Sequence, residues 1–287
     1  MLLYKPVAEL HTQKLKSDIT YFSDKHYVAI LFFGTNSSSA VYVRNKQAFA
    51  QKILPAFIFQ EHKEENLIFE DLSEDIVRRY ENTDQVLNLI DRLNLDERCV
   101  GIMIQMPLPD FLKHERDRLV SAVSETKDID GLGLVGKSFA DFISFTPATP
   151  KAVMSLLDYY ELNLKGKRVA IIGQSIVVKP LALECLKRAI VQCFDISNTE
   201  QEIQECQQAE YIFSGTGVIH LINKNYVNRE KNQILVDIYG HLKGKAAGDI
   251  DFESVEAEVR YITPVPVPLT IVSLFENVIS LRKNYKI

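Results

Sequence analysis

Cysteine is scarce in this 287-residue sequence, and the four present, Cys99, Cys185, Cys193 and Cys206, show neither CxxC nor CxxH spacing. That argues against a zinc site and against a disulfide framework, and a reducing cytoplasm fits best. The six histidines are scattered, so no metal cluster is expected. Basic charge is in deficit: 33 Lys and Arg against 38 Asp and Glu leave a formal net charge of −5, with no basic cluster alternating with aromatics. Nucleic acid is therefore not an expected partner. No apolar run reaches membrane-spanning length, and the N-terminal stretch MLLYKPVAELHTQKL is charged too soon for a signal peptide, so no membrane partner is expected. Internal repeats and low-complexity tracts are lacking as well. What remains is a chain of ordinary apolar content, 46%, long enough for two domains.

The chain is organised around Gly166 to Arg188. The β-branched run Val169 to Ile172 suits a strand buried on both faces, and it stops at Gly173. A polar turn, Gln174 and Ser175, leads to Lys179-Pro180 and a helix with Leu181, Leu183, Leu186 and Ala189 at three- and four-residue spacing. Strand, turn and helix in this order leave backbone N–H groups at the helix start for an anion. With one glycine the turn is a weak dinucleotide fingerprint, and taken alone it reads more readily as an ordinary βα unit. Further strands, Ile190 to Phe194, Tyr211 to Phe213 and Gln233 to Val236, each end in polar or glycine-rich positions: Asp195, Ser214 to Gly217, and Asp237. Doubly wound sheets bind nucleotides at that edge, which makes Thr216 and Gly217 candidates beside Gly173, Gln174 and Ser175. Asp195 lies 22 positions past Gly173, where an acidic residue accepts from the adenosine ribose; Ser197 and Thr199 follow it with hydroxyls suited to a phosphate. Spacing alone leaves Asp195 equally open as a solvated strand-end residue.

Ahead of this unit, residues 7–22 predict a packing helix with Val7, Leu10, Leu15 and Ile19 inward. A strand is expected from Tyr27 to Phe33, ending at Gly34; the loop 35–39 caps a helix that begins near Ala40 and carries Tyr42 and Lys46 on one face. A short strand at 56–59, a helix at 83–96 with Val86, Leu87, Ile90 and Leu93 inward, and a buried strand Cys99 to Ile104 follow. Strand alternating with helix implies α/β architecture and a mainly parallel sheet. Gln105 stands at the edge of that strand, followed by Pro107 and Pro109; Lys127 to Gly131 forms an acidic turn. Individually these have plain readings: a snorkelling lysine, a capping glutamine, a solvated turn. The most linker-like segment is Phe145 to Pro150, ahead of a helix from Lys151 to Tyr160. It divides a first domain, 1–147, from a Rossmann-like doubly wound domain, 148–268; a last helix within 269–287 is expected to pack back on the first.

Taken together, the order of these motifs resembles the methylenetetrahydrofolate dehydrogenase/cyclohydrolase family across nearly the whole chain. Its S-x-x-Y-V-x-x-K is matched at Ser39 to Lys46, Q-x-P-L-P at Gln105 to Pro109 and K-D-x-D-G at Lys127 to Gly131. Its domain linker is similar to Pro147 to Pro150 and its nucleotide loop to Gly173 to Pro180; two later motifs fall at Gly248 to Phe252 and Thr263 to Pro266. The resemblance implies two α/β domains, a tetrahydrofolate substrate, NAD or NADP as cofactor, and a homodimer. It also implies roles: Lys46 as the catalytic lysine, Tyr42 packing on the folate, Gln105 holding the lysine, and Asp130 gripping the pterin. The implied reactions are oxidation of 5,10-methylenetetrahydrofolate to the methenyl form and its hydrolysis to 10-formyltetrahydrofolate. Against the family pattern, Gln174 stands for arginine, and Val178 and Tyr239 stand for glycines. The glycine-rich segment after Pro266 is shortened to Val267-Pro268-Leu269-Thr270, which predicts a more open site. Asp195 and the missing arginine favour NAD over NADP. The competing readings are a repurposed relative acting on another imine-like substrate, a cyclohydrolase alone, and a non-catalytic nucleotide- or folate-binding protein.

Overall fold

The computed structural model describes residues 1–18, 22, 26–33, 37–53, 80, 82–134, 145–196, 199–238, 240–241, 247–263 and 269–285. Ile19, Gly34, the strand expected at 56–59, Ser197, Tyr239, Val267 and Pro268 lie outside the described residues. The chain divides into two compact units, His11–Ala148 with Ile271–Ile287, and Met1–Leu10 with Thr149–Thr270. Both are α/β with parallel strands, and the second is Rossmann-like.

In the first unit β1 (Tyr27–Leu31) pairs in parallel with β2 (Cys99–Ile104). All six residues of β2 are buried, as its unbroken apolar run requires of a strand covered on both faces. The helix Thr83–Leu95 starts where the Asn82 side chain accepts from the Gln85 N–H, and buries Val86, Leu89, Ile90 and Leu93. Leu89 takes the inward place expected of Leu87, which is half-buried; the helix packs against the helix Arg116–Ala122 as well as β2. The C-terminal helix (Leu269–Tyr285) supplies Ile271, Leu274, Phe275, Val278, Ile279 and Leu281 to the core that holds Leu15, Val28, Ile30, Val43 and Ala50. Its Asn277, buried among these, donates to the carbonyls of Ile129 and Thr146 and so ties the acidic turn to the core.

The second unit carries β3 (Arg168–Ile172), β4 (Ile190–Phe194), β5 (Tyr211–Ser214), β6 (Ile234–Asp237) and a short strand Tyr261–Ile262. All pair in parallel, in the order β4-β3-β5-β6 followed by the short strand. The order reverses between β3 and β5, which makes their carboxyl ends the switch point where open α/β sheets bind ligands. The helix Ala148–Tyr159 leads into β3, Lys179–Leu186 connects β3 to β4, and Glu200–Gln208 connects β4 to β5.

Several sequence expectations are corrected. The first helix runs Tyr4–Asp18 and leaves Leu10 53% exposed, so its inward face is narrower than the apolar count suggests. The second helix, Ser37–Ile53, starts at Ser37, so the serines form its first turn instead of a loop before it. Pro150 sits in the opening turn of Ala148–Tyr159, where no intrahelical amide is lost, and the helix starts three residues early. The helix after the nucleotide turn ends at Leu186, which is 51% exposed; it buries Leu181 as expected, with Glu184 and Cys185 inside in place of Leu183 and Leu186. Glu184 tolerates burial because Lys187 and Arg188 pair with it.

Candidate active site

The helix Ser37–Ile53 buries Val43 and Ala50, and that register turns Lys46 inward with Tyr42 half-buried one turn earlier. Lys46 is 7% exposed, so it does not snorkel to water. Its Nζ donates to Gln105 Oε1 at 2.7 Å. Gln105 directly follows β2; its backbone N–H donates to Leu31 O and its Nε2 to Met106 O at 2.7 Å. The amide nitrogen being occupied, the amide oxygen is left to receive the lysine. Burial pushes the Lys46 ammonium down to about 8, with the negative charge of Asp130 acting in the opposite sense. Asp130 is itself buried, and desolvation raises its carboxyl above the ordinary range against the pull of Lys46. The structure thus brings Lys46, Gln105 and Asp130 together, with Tyr42 on the same helix as the lysine.

The turn carrying Asp130 is buried, not solvated. Asp128 Oδ1 accepts from Gly131 N–H and Oδ2 from Gly133 N–H, each at 2.9 Å. Burial lifts the Asp128 carboxyl to about 7, with the two glycine N–H groups acting to lower it and Asp130 to raise it. A Cβ on Gly131, at φ +75°, would lie 2.8 Å from Pro147, so the turn admits glycine alone there without strain. Lys127, the basic member of the motif, donates its Nζ to Leu93 O, Asn94 O and Asp96 O at the end of the helix Thr83–Leu95. It caps a helix and anchors the turn. In the sequence Asp128 has a place in the acidic motif but no role of its own, its plain reading being a solvated turn; the paired carboxylates two apart are the signal, and burial decides between the readings.

At the switch point Gly173, with φ +105°, donates its N–H to Phe194 O, and a Cβ there would stand 2.5 Å from Gly215 O. The two glycines let the β3 and β5 loops touch. Beyond Gly173, Val178 and Lys179 N–H turn back to Ser175 O. The N–H groups of Gln174, Ser175, Ile176 and Val177 meet no acceptor among the described residues, and Ser175 Oγ is buried without a partner. Four open donors and an orphaned hydroxyl at the start of a helix suit a pyrophosphate, so the residues fit a dinucleotide. Gln174 is exposed beside them. Asp195 is exposed at the end of β4, where its Oδ1 accepts from Ile196 N–H.

Thr216 and Gly217 reach the same point by a route the sequence reading did not anticipate. Asp249, wholly buried, accepts from Ser214 Oγ at 2.9 Å, Thr216 N–H at 2.5 Å and Gly217 N–H at 3.1 Å. Its neighbour Gly248 has no room for a Cβ, which would fall 1.9 Å from Asp237 Oδ2, and Asp237 Oδ2 also accepts from Ile250 N–H. The Gly-Asp pair in Gly248 to Phe252 was the available signal for this clamp. Among the described residues no group of three or more His, Cys, Asp or Glu is placed to hold a metal ion. No helix of the described residues is long and apolar enough to cross a membrane.

Comparison with known proteins adds the family. Residues 2–130 match the tetrahydrofolate dehydrogenase/cyclohydrolase catalytic domain, and residues 147–286 match the NAD(P)-binding domain of the same enzymes. The bifunctional protein FolD of Lactobacillus acidophilus is 33% identical over 292 residues, spanning 98% of this chain and 96% of that protein. FolD of Aquifex aeolicus is 30% identical over 98% of this chain and 94% of its own length. The solved structure of the bifunctional enzyme FolD from Campylobacter jejuni superposes with a TM-score of 0.77 at 29% identity, covering 99% of this chain and 98% of that one.

Proposed function

Because this chain belongs to the tetrahydrofolate dehydrogenase/cyclohydrolase family, we propose that it oxidises 5,10-methylenetetrahydrofolate and hydrolyses the methenyl product to 10-formyltetrahydrofolate. The observation that carries this reading is the buried contact of Lys46 with Gln105 beside Asp130. A lysine pushed down to about 8 exchanges protons near neutral pH, as hydrolysis of a C=N bridge requires. Lys46 as free amine takes the proton released when water adds to the bridge carbon. It returns that proton to the ring nitrogen whose bond to the carbon then breaks, and the hydroxyl proton of the adduct leaves to solvent as the C=O forms, so the formyl group stays on the other nitrogen and one proton is released overall. Gln105 holds the amine through its Oε1, its own orientation fixed by Met106 O. Asp130 accepts from the aminopyrimidine N–H donors of the pterin, and the Tyr42 ring packs against the folate.

For oxidation, a bound nicotinamide supplies the hydride-accepting chemistry. Gly173, Gln174, Ser175 and the open N–H groups to Val177 hold its pyrophosphate, and Asp195, Ser197, Thr216 and Gly217 complete the contacts. We assign folate chemistry to 1–147 with the helix in 269–287, and dinucleotide binding to 148–268. Asp195 at the end of β4, with Gln174 offering no cation, supports NAD over NADP. A cytoplasmic homodimer is the expected working form. Spectrophotometric turnover of methylenetetrahydrofolate with NAD and with NADP, alongside methenyl hydrolysis without nucleotide, tests the reading. Turnover in both assays is expected; hydrolysis no faster than in buffer would overturn it.

A further inference from the structure

The two loops that touch at the switch point offer a ligand opposite chemistry. In the turn 174–177 the N–H donors are open. In the loop 215–217 the donors are consumed, since Asp249 takes the N–H groups of Thr216 and Gly217. The carbonyls of Thr216 and Gly217 accept no hydrogen bond among the described residues, while Gly215 O lies against Gly173. Thr216 Oγ1 already accepts from Val218 N–H at 3.0 Å, which leaves its hydroxyl hydrogen to donate. A donor-rich turn attracts phosphate oxygens, whereas unpaired carbonyl oxygens repel them and suit hydroxyls, amide NH2 groups and positive charge.

Across the sheet the order β4-β3-β5 places Asp195, the 174–177 turn and the 215–217 loop in sequence along one edge. A dinucleotide laid along that edge with its adenosine at β4 and its pyrophosphate at β3 puts its remaining half at β5. We propose that Asp249 is a positioning residue that makes the 215–217 loop an acceptor subsite for the nicotinamide riboside half of the cofactor. That half carries a carboxamide, ribose hydroxyls and, when oxidised, a cationic ring. The carboxylate matters because each of its oxygens accepts a loop amide while one also takes Ser214 Oγ. An asparagine there turns an NH2 toward one of those amides, and the freed N–H restores a donor where the ligand needs acceptors. The inference rests on the nicotinamide reading given above.

The test is a pair of binding titrations on the full chain, with NAD and with ADP, the latter a probe of the adenosine and pyrophosphate half alone. In Asp249→Asn, affinity for NAD is expected to fall about tenfold while that for ADP stays within about twofold. Equal losses for both ligands would reduce Asp249 to a fold-holding residue and overturn the inference, as would unchanged NAD affinity. Should Asp249→Asn not fold, Ser214→Ala removes only the hydroxyl that grips the carboxylate. There a loss of about threefold for NAD alone is expected, and equal behaviour of the two ligands overturns the proposal. A wild-type chain that binds neither ligand overturns the nicotinamide reading itself, a result distinct from any of these.

Discussion

The cluster around Lys46 gathers ionisable side chains out of water, whereas the loops at the switch point present backbone groups, with the buried carboxylate of Asp249 bound to their amides. In the first region burial displaces Lys46, Asp128 and Asp130 toward their uncharged forms. In the second, Asp249 spends its oxygens on loop amides. The difference follows from who carries the chemistry. Proton transfer is performed by protein groups and requires their affinities for protons to be moved; hydride transfer belongs to a cofactor and requires the protein to place it. One device is nevertheless common to both: Asp128 and Asp249 each bind two backbone N–H groups of a glycine-bearing turn.

The contrast breaks most visibly at Lys46. Lys46→Met keeps the length and apolar stem of the side chain but removes the exchangeable proton, and methenyl hydrolysis is expected to fall by about a thousandfold. NAD affinity, measured by titration of the same variant, is expected to be unchanged; hydrolysis within about twofold of wild type would remove Lys46 from the chemistry. A smaller effect is expected from Asp130→Asn, which exchanges a charged acceptor for a neutral amide. Loss of one charge-assisted bond weakens folate binding by about 10- to 100-fold, readable as KM. Undiminished folate affinity would separate Asp130 from the pterin.

The smallest effect belongs to the second region. Asp195→Ser removes the carboxylate that opposes a 2′-phosphate at an exposed position, so the ratio of NADP to NAD affinity is expected to rise by about fivefold. No change in the ratio, or tighter NADP than NAD binding by the wild type, would remove Asp195 from cofactor choice.

Much of this arrangement was legible beforehand because period and punctuation act locally. The apolar run of β2, the alternation of strand with helix and the glycine stop at 173 each rest on neighbouring residues alone. The placement of Lys46 was legible too, since the i, i+4 spacing with Tyr42 puts both on one helix face. What escaped was settled by residues distant in sequence. Asp128 reads as a surface turn until β2 and the C-terminal helix are packed over it, with Asn277 reaching Ile129 O from 148 positions away. Asp249 reads as part of a motif without a task until the loop at 214–217 is folded onto it, 33 positions away at Thr216. The inward face of Lys179–Leu186 was misjudged for a related reason: a leucine count does not reveal that Glu184 is neutralised by Lys187 and Arg188 and goes inside.

The central claim is that burial beside Gln105 and Asp130 converts Lys46 into a base that works near neutral pH. It is tested most directly by the pH dependence of kcat/KM for methenyl hydrolysis without nucleotide, which reports the free enzyme. Because the free amine is the active form, kcat/KM corrected for the buffer reaction should climb as pH rises, bend at about 8 and then level off. In Asp130→Asn the bend should move to lower pH, since the carboxylate that favours the protonated lysine is gone. A profile flat between about pH 7 and 9, or one still climbing at the ordinary lysine value of about 10.4, would contradict the account.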